Sequence, residues 1–216
     1  MTPFRSEVAF ASLVTYCPRG DGAEIRKSQT LMRQLKGNRM LLRAESAAAF
    51  VSRRLREMSP PSVIAFLASD VALVPVPRSS LQKRGALWPA LEIAHALHAQ
   101  GFGSRVLTCL TRQTAVGKAA IASPRDRPRA RAHFDSLEVV APVDLPASVT
   151  LIDDVITRGA QMLGAAWRIW SVRPDVVVRG FAVMRTISRP EDFSTVAAPC
   201  VRRVTLGRDE DCHRTP

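Results

Sequence analysis

The chain has 216 residues, 31 Lys and Arg against 19 Asp and Glu, a formal charge of +12, and 46% apolar residues. This length suits one domain with a small extension, and the apolar fraction excludes a disordered basic tail. The charge surplus implies a polyanionic partner: nucleic acid, an acidic membrane surface or a phosphorylated small molecule. No apolar run approaches the ~20 residues of a membrane span. Of the basic residues 27 are Arg and four are Lys. Arg offers phosphate a planar fork of donors, although coding bias explains the ratio equally well.

The apolar stretch Val8 to Tyr16 comes first. Arg5, Glu7 and the lack of a clean small-residue cleavage site argue against a signal peptide. Ser28 to Met58 reads as two amphipathic helices, with apolar positions at Leu31, Met32, Leu35, Leu41, Leu42, Ala48, Phe50, Val51 and Leu55. Gly37-Asn38 is the turn between them, and Pro60-Pro61 ends the region. Val71 to Pro77 is a short apolar strand stopped by prolines. Ala86 to Gln100 is a helix and Arg105 to Leu110 a second strand. Residues 111–134 are polar, basic and interrupted by Gly117, Pro124 and Pro128, so they read as a long exposed loop. Three more strands are expected at Ser136 to Val140, Val149 to Ile152 and Val176 to Val183, with a helix from Gln161 to Val172. Cys200 to Leu206 offers one further strand in the tail.

Strands alternating with helices predict an α/β fold with a mostly parallel, doubly wound sheet and helices on both faces. The expected organisation is a helical segment over 1–66, a core over 67–187 and a tail over 188–216. In such sheets ligands bind beyond the carboxyl ends of the strands. Cys17, Cys109, Cys200 and Cys212 form no CxxC pair, which argues against a zinc ribbon and suits a reduced, cytoplasmic setting.

The segment richest in chemistry runs from Val149 to Gln161. An apolar strand leads into Asp153 and Asp154, a loop carries Thr157, Arg158 and Gly159, and a helix begins at Ala160 and Gln161. Unpaired N–H groups at a helix start attract anions. Gly159 permits close approach of backbone to phosphate. The Thr157 hydroxyl donates, and paired ionised carboxylates accept from a sugar diol or hydrated Mg²⁺.

This pattern resembles the phosphoribosyl-pyrophosphate (PRPP) loop of type I phosphoribosyltransferases. The resemblance implies that Asp153 and Asp154 hold the ribose hydroxyls, and Mg²⁺ indirectly. It implies that Thr157, Arg158, Gly159, Ala160 and Gln161 cradle the 5′-phosphate. The family usually has Thr or Ser where this chain has Gln161. Leu73 to Pro77, followed by Arg78, Lys83, Arg84 and Gly85, is similar to the strand and pyrophosphate loop of the competence-protein-F-like branch. The segment Leu31 to Arg39 is similar to the helical segment before that branch's core. The branch's zinc ribbon is missing. The resemblance spans residues 28–187 and places residues 111–134 where the family has a mobile catalytic loop. Arg112, Lys118, Arg125, Arg127, Arg129 and Arg131 are candidates there, and Arg78 and Lys118 are expected to act in catalysis beside the two carboxylates.

Other readings compete. Paired Asp also serves turns and caps. The haloacid-dehalogenase strand wants Asp-x-Asp, and neither a dinucleotide fingerprint nor a P-loop is present. Trp167 and Trp170 are expected in packing, His95 and His98 on the surface or in structure, and His133 in loop-end packing. Arg125 to Arg131, if extended, would align alternate arginines on one side. The resemblance therefore implies a transferase acting on PRPP with Mg²⁺, an unknown acceptor base or amine, and pyrophosphate as product. The alternative is a non-catalytic PRPP- or nucleotide-responsive protein, or one associated with DNA through its first 60 residues, which carry a net +6. Dimers are common in this fold.

Overall fold

The computed structural model of the chain describes residues 5–37, 45–83, 85–117, 127–140 and 145–215. Asn38, Arg39, Leu41, Leu42, Arg84, Lys118, Pro124 and Arg125 lie outside the described residues. The first element is β1 (Glu7–Tyr16), a strand in the middle of the main sheet. Val8 and Phe10 enter the core on one face; Ala11 and Leu13 enter the core on the other. A strand buried on both faces reads as an unbroken apolar run without alternation, which is why its type is hard to assign from sequence.

Two helices follow, α1 (Ala23–Gly37) and α2 (Ala47–Met58). Ser46 caps α2 by accepting from the Ala49 N–H at 3.2 Å, satisfying one of the orphan donors of the first turn. Pro61 starts the short helix α3 (Pro61–Ile64). It stands in the first turn, where a missing N–H is harmless. Strand β2 (Ala72–Pro75), helix α4 (Pro89–Ala99) and strand β3 (Arg105–Val106) come next.

The expected strand from Arg105 to Leu110 is divided. Its first two residues pair with β2, and the chain then leaves the sheet edge. Strand β4 (Leu110–Arg112) pairs antiparallel with β5 (Leu137–Val139) as a separate ribbon. The ribbon buries Leu110 and Leu137 in the core that α6 completes. Helix α5 (Ala130–Asp135) occupies the end of the stretch expected as an exposed loop. Arg129, extended at the helix start, and Arg131, inside the helix, therefore do not share one side of an extended chain. The remaining elements are β6 (Ser148–Ile156), α6 (Ala160–Val172), β7 (Val177–Thr186), β8 (Ala197–Leu206) and β9 (Cys212–Thr215).

The main sheet has the order β3-β2-β6-β7-β1-β8-β9. β3, β2, β6, β7 and β1 run parallel. β8 and β9 add an antiparallel hairpin at one edge. Helices cover both faces. Leu163, Ala166 and Ile169 of α6 pack on Val74 and Leu151, while Leu35, Leu55 and Leu97 of α1, α2 and α4 pack on Leu13, Leu73 and Phe181. Each fully buried side chain of this kind contributes about 1.5–3 kcal/mol. The sheet thus draws strands from 1–66, 67–187 and 188–216 alike. Among the described residues, no helix is long and apolar enough to cross a membrane, and all four cysteines are free.

Candidate functional site

β6 lies between β2 and β7, so its end is central in the parallel half of the sheet. The strand does not stop before the carboxylates, as the sequence pattern implies, but continues through Asp153 and Asp154 to Ile156. Successive residues of a strand face opposite ways. Asp154 accordingly meets Lys36 at the end of α1, with Nζ donating to Oδ2 at 2.8 Å. Asp153 meets the α6 face, where the Gln161 Nε2 is 3.5 Å from its Oδ2. That separation marks a weak bond. Both carboxylates are buried, each 8% exposed.

Backbone amides hold them in place. The Asp154 N–H donates to Asp153 Oδ1 at 2.9 Å, and the Val155 N–H to Asp154 Oδ1 at 2.8 Å. Burial raises the Asp153 pKa well above the usual carboxylate range, the neighbouring Asp154 charge raises it further, and Lys36 partly opposes both. Burial acts to lower the Lys36 pKa, but the charges of Asp154 and Asp153 outweigh it and hold the ammonium form. Lys36 is the cation paired directly with this acid pair, and the charge of Arg112 also acts on Asp153. Adjacent buried acids whose titration is perturbed in this way are enriched at functional sites.

The loop after β2 is brought alongside. Val76 extends the ladder to β6 by donating to the Ile152 carbonyl at 2.9 Å. Arg112, only 7% exposed, fixes the turn that follows: its Nη2 donates to the Pro77 carbonyl at 3.1 Å and its Nε to the Arg78 carbonyl at 2.8 Å. A third donation goes to the Ser136 hydroxyl. Burial pushes the Arg112 pKa down to about 10, against the pull of Asp153. Arg112 is therefore a buried strut beneath the loop instead of a member of an exposed one. Arg78 is exposed, donates to the Leu87 carbonyl at 2.9 Å, and lies near enough to Lys36 to disfavour its charged form. Lys83 is exposed on the same loop. Arg84 and Lys118 lie outside the described residues.

The turn from β6 into α6 rests on Gly159. Its φ is +99°, a region that L side chains rarely adopt, and a Cβ there would lie 2.3 Å from a Val204 methyl of β8. No side chain caps α6, so Ala160 and Gln161 present backbone N–H groups of the first turn. The Thr157 hydroxyl is 3.2 Å from that of Thr186, and Arg158 pairs with Asp211. Gln161 spans two parts of the site, with its Nε2 also 3.5 Å from the Pro77 carbonyl.

The structure thus brings together Asp153, Asp154, Gln161, Arg78 and the α6 start. Thr157 and Arg158 are next in the chain but engage β7 and the β8–β9 turn. Lys36 is the functional candidate that the sequence reading missed as a site residue. The available signal was its place after the buried Leu35, in the last turn of an amphipathic helix. Trp167 and Trp170 are core residues whose indole N–H groups bond to the Arg5 and Val176 carbonyls at 2.8 and 2.9 Å. His95 and His98 are exposed. His133 is buried in α5, where burial, aided by Arg112, pushes its pKa down to about 3. Among the described residues no group of three or more His, Cys, Asp or Glu side chains is placed to hold a metal by itself. The chain matches no model of a known protein family, and a search of curated proteins finds no relative.

Proposed function

We propose that the chain binds a phosphoribosyl-diphosphate ligand at the junction of β6 and α6 and transfers its phosphoribosyl group to a nitrogen acceptor, releasing pyrophosphate. The finer fold belongs to this reading: the parallel half of the sheet is taken as a type I phosphoribosyltransferase core. One observation carries the proposal, namely two adjacent, buried carboxylates, one of them paired with Lys36, set one turn before an uncapped helix start. Burial and mutual repulsion oppose ionisation of this pair, a cost that a ribose diol or a cation would offset.

The 5′-phosphate is assigned to the N–H groups of Ala160 and Gln161, where Gly159 lets backbone approach closely. Asp153 and Asp154 accept from the ribose hydroxyls and favour positive charge developing on the ring carbon. Lys36 pairs with Asp154 and tempers the repulsion between the two acids. Arg78, on the loop braced by Arg112, faces the charge of the departing pyrophosphate. The residues suit Mg²⁺ held jointly with ligand phosphates, since two carboxylates alone seldom form a full Mg²⁺ cage. Asp153 and Asp154 are the residues that would hold it indirectly, and it would supply neutralisation of phosphate charge.

Thermal unfolding with Mg²⁺ and PRPP tests the reading. Ligand at 100 times its dissociation constant adds about 2.7 kcal/mol of stability. The Asp153→Asn, Asp154→Asn double variant is expected to lose that response. An unchanged melting temperature of the wild type at millimolar PRPP overturns the ligand assignment. Pyrophosphate release with a panel of bases then separates a transferase from a binding protein.

A further inference from the structure

Away from the carboxylates, the β8–β9 hairpin gathers positive charge. Arg214 of β9 sits opposite Val204 of β8, so Arg202, two residues along β8, is its diagonal neighbour on the same face. Arg185 of β7 reaches the same strip across β1. Its guanidinium donates to the Ala198 carbonyl and lies 3.4 Å from the Ser12 hydroxyl, and Ser12 faces Cys200 of β8. Three half-buried arginines therefore share one strip. Among the described residues none of them forms an ion pair with a carboxylate, and the Arg202 side chain makes no hydrogen bond, only its backbone pairing with β1. Burial pushes the Arg214 pKa down to about 10, and the charges of Arg185 and Arg202 add to it.

Arg214 also lines a cavity of about 280 Å³ between the hairpin and the β6–α6 turn. The other walls include Arg127, Thr157, Arg158, Ser188 and Asp211. Asp211 is engaged by Arg158, which leaves Arg127 and Arg214 without an acidic partner in the cavity wall. The Arg127 Nε is buried with no hydrogen-bond partner. An unmatched buried donor is costly, and the mutual repulsion of Arg185, Arg202 and Arg214 adds to that cost. An anion resolves both.

We propose that this strip and the cavity it borders are a second binding site, for a compact phosphorylated group of the diphosphate class, separate from the Asp153–Asp154 pair. Size argues for compactness, because the cavity lies just under the ~300 Å³ lower bound of ordinary ligand pockets. Half-burial of the arginines argues against a nucleic-acid backbone, which needs an exposed track of cations. The planar guanidinium forks match phosphate oxygens two at a time. The site shares only Thr157 and Arg158 with the loop assigned to the 5′-phosphate, and it stands whether or not the carboxylates take a ribose.

Arginine-selective dicarbonyl labelling, mapped by mass spectrometry, tests this on the full chain. Inorganic diphosphate is expected to slow labelling of Arg202 and Arg214 at least tenfold, and a single-stranded oligonucleotide is not. Arg202→Gln, which breaks no side-chain hydrogen bond among the described residues, is expected to weaken diphosphate protection of Arg214 at least fivefold without lowering the melting temperature. The Asp153→Asn, Asp154→Asn variant is expected to keep the protection even as it loses any response to PRPP. Labelling unchanged by diphosphate, protection by DNA alone, or protection lost in the double Asn variant each overturns the proposal. Loss of the PRPP response with protection intact leaves this site standing and bears on the other reading alone.

Discussion

The sheet carries two like-charge clusters of opposite sign, and they are stabilised differently. At its centre, Asp153 and Asp154 are adjacent in sequence and buried on opposite sides of β6, with Lys36 paired to one of them. At its antiparallel edge, Arg185, Arg202 and Arg214 come from three strands, and backbone carbonyls, not carboxylates, accept from Arg185 and Arg214. The negative cluster is held by its own chain, through the amides of residues 154 and 155. The positive cluster is held only by tertiary structure. Strain in the first is a property of one strand; strain in the second exists only once β7, β8 and β9 have met.

Gly159 follows the carboxylates in the chain and abuts Val204 of β8, and altering it gives the largest expected effect. Gly159→Ala forces a side chain into the positive-φ region and drives a Cβ to 2.3 Å from Val204. Combined strain and overpacking are expected to cost about 2–5 kcal/mol, measured as a fall in chemical-denaturation midpoint. Val204→Ala in the same chain relieves the overlap but not the dihedral, so partial recovery is expected. Full recovery would show that the backbone angle is unimportant.

Arg112 comes next, because it connects the carboxylate cluster to the loop after β2. Arg112→Met keeps the volume but abandons the Pro77 and Arg78 carbonyls and the Ser136 hydroxyl. Lost charge-assisted bonds in a buried place are expected to cost about 2–4 kcal/mol. Arg112→Lys restores charge but not the three-way fork, so it should recover less than half of the loss. Equal stability of Arg112→Lys and the wild type would refute the role of the fork.

Much of this architecture is legible in sequence, and the exceptions have physical causes. Strand β6, helix α6 and strand β7 stand out because an apolar run, a turn and a helical period follow one another. β1 escapes assignment because burial on both faces erases its alternation. β5 is legible as an extended segment, whereas β4 runs past the expected strand end at Leu110 into the expected loop, and nothing local tells that the two pair with each other. Asp153 and Asp154 are conspicuous as a pair. Their opposite orientations depend on β6 running on to Ile156, and the contact with Lys36 joins residues 118 apart in the chain. The arginine strip is invisible in sequence for the same reason, being spread over 30 residues and three strands.

The carboxylate cluster has a pH signature of known sign. The folded-state pKa of Asp153 is raised, chiefly by burial and then by Asp154. Between the ordinary carboxylate range and that raised value, the native state binds more protons than the unfolded state. Stability from this group therefore falls as pH rises through that window, and is recovered at lower pH. Asp153→Asn removes the ionisation, so it is expected to raise stability at neutral pH by about 1 kcal/mol and to flatten the slope over the window. A variant less stable than the wild type at neutral pH, with the slope intact, would show that Asp153 is not desolvated as described.

The positive cluster yields the smallest effect and the cleanest contrast. Arg202 adds to the repulsion on both Arg185 and Arg214 and makes no side-chain hydrogen bond among the described residues. Arg202→Gln should therefore stabilise the chain without ligand by about 0.5 kcal/mol, with the gain shrinking as salt screens the like charges. Arg214→Gln relieves the same repulsion but abandons the Thr186 carbonyl, so it should be neutral or destabilising. Diphosphate should reverse the order of wild type and Arg202→Gln, because the ligand uses the charge that the empty site must tolerate. If both variants destabilise equally and salt has no effect, the arginines are held by packing, and their shared charge is not what the hairpin has to contend with.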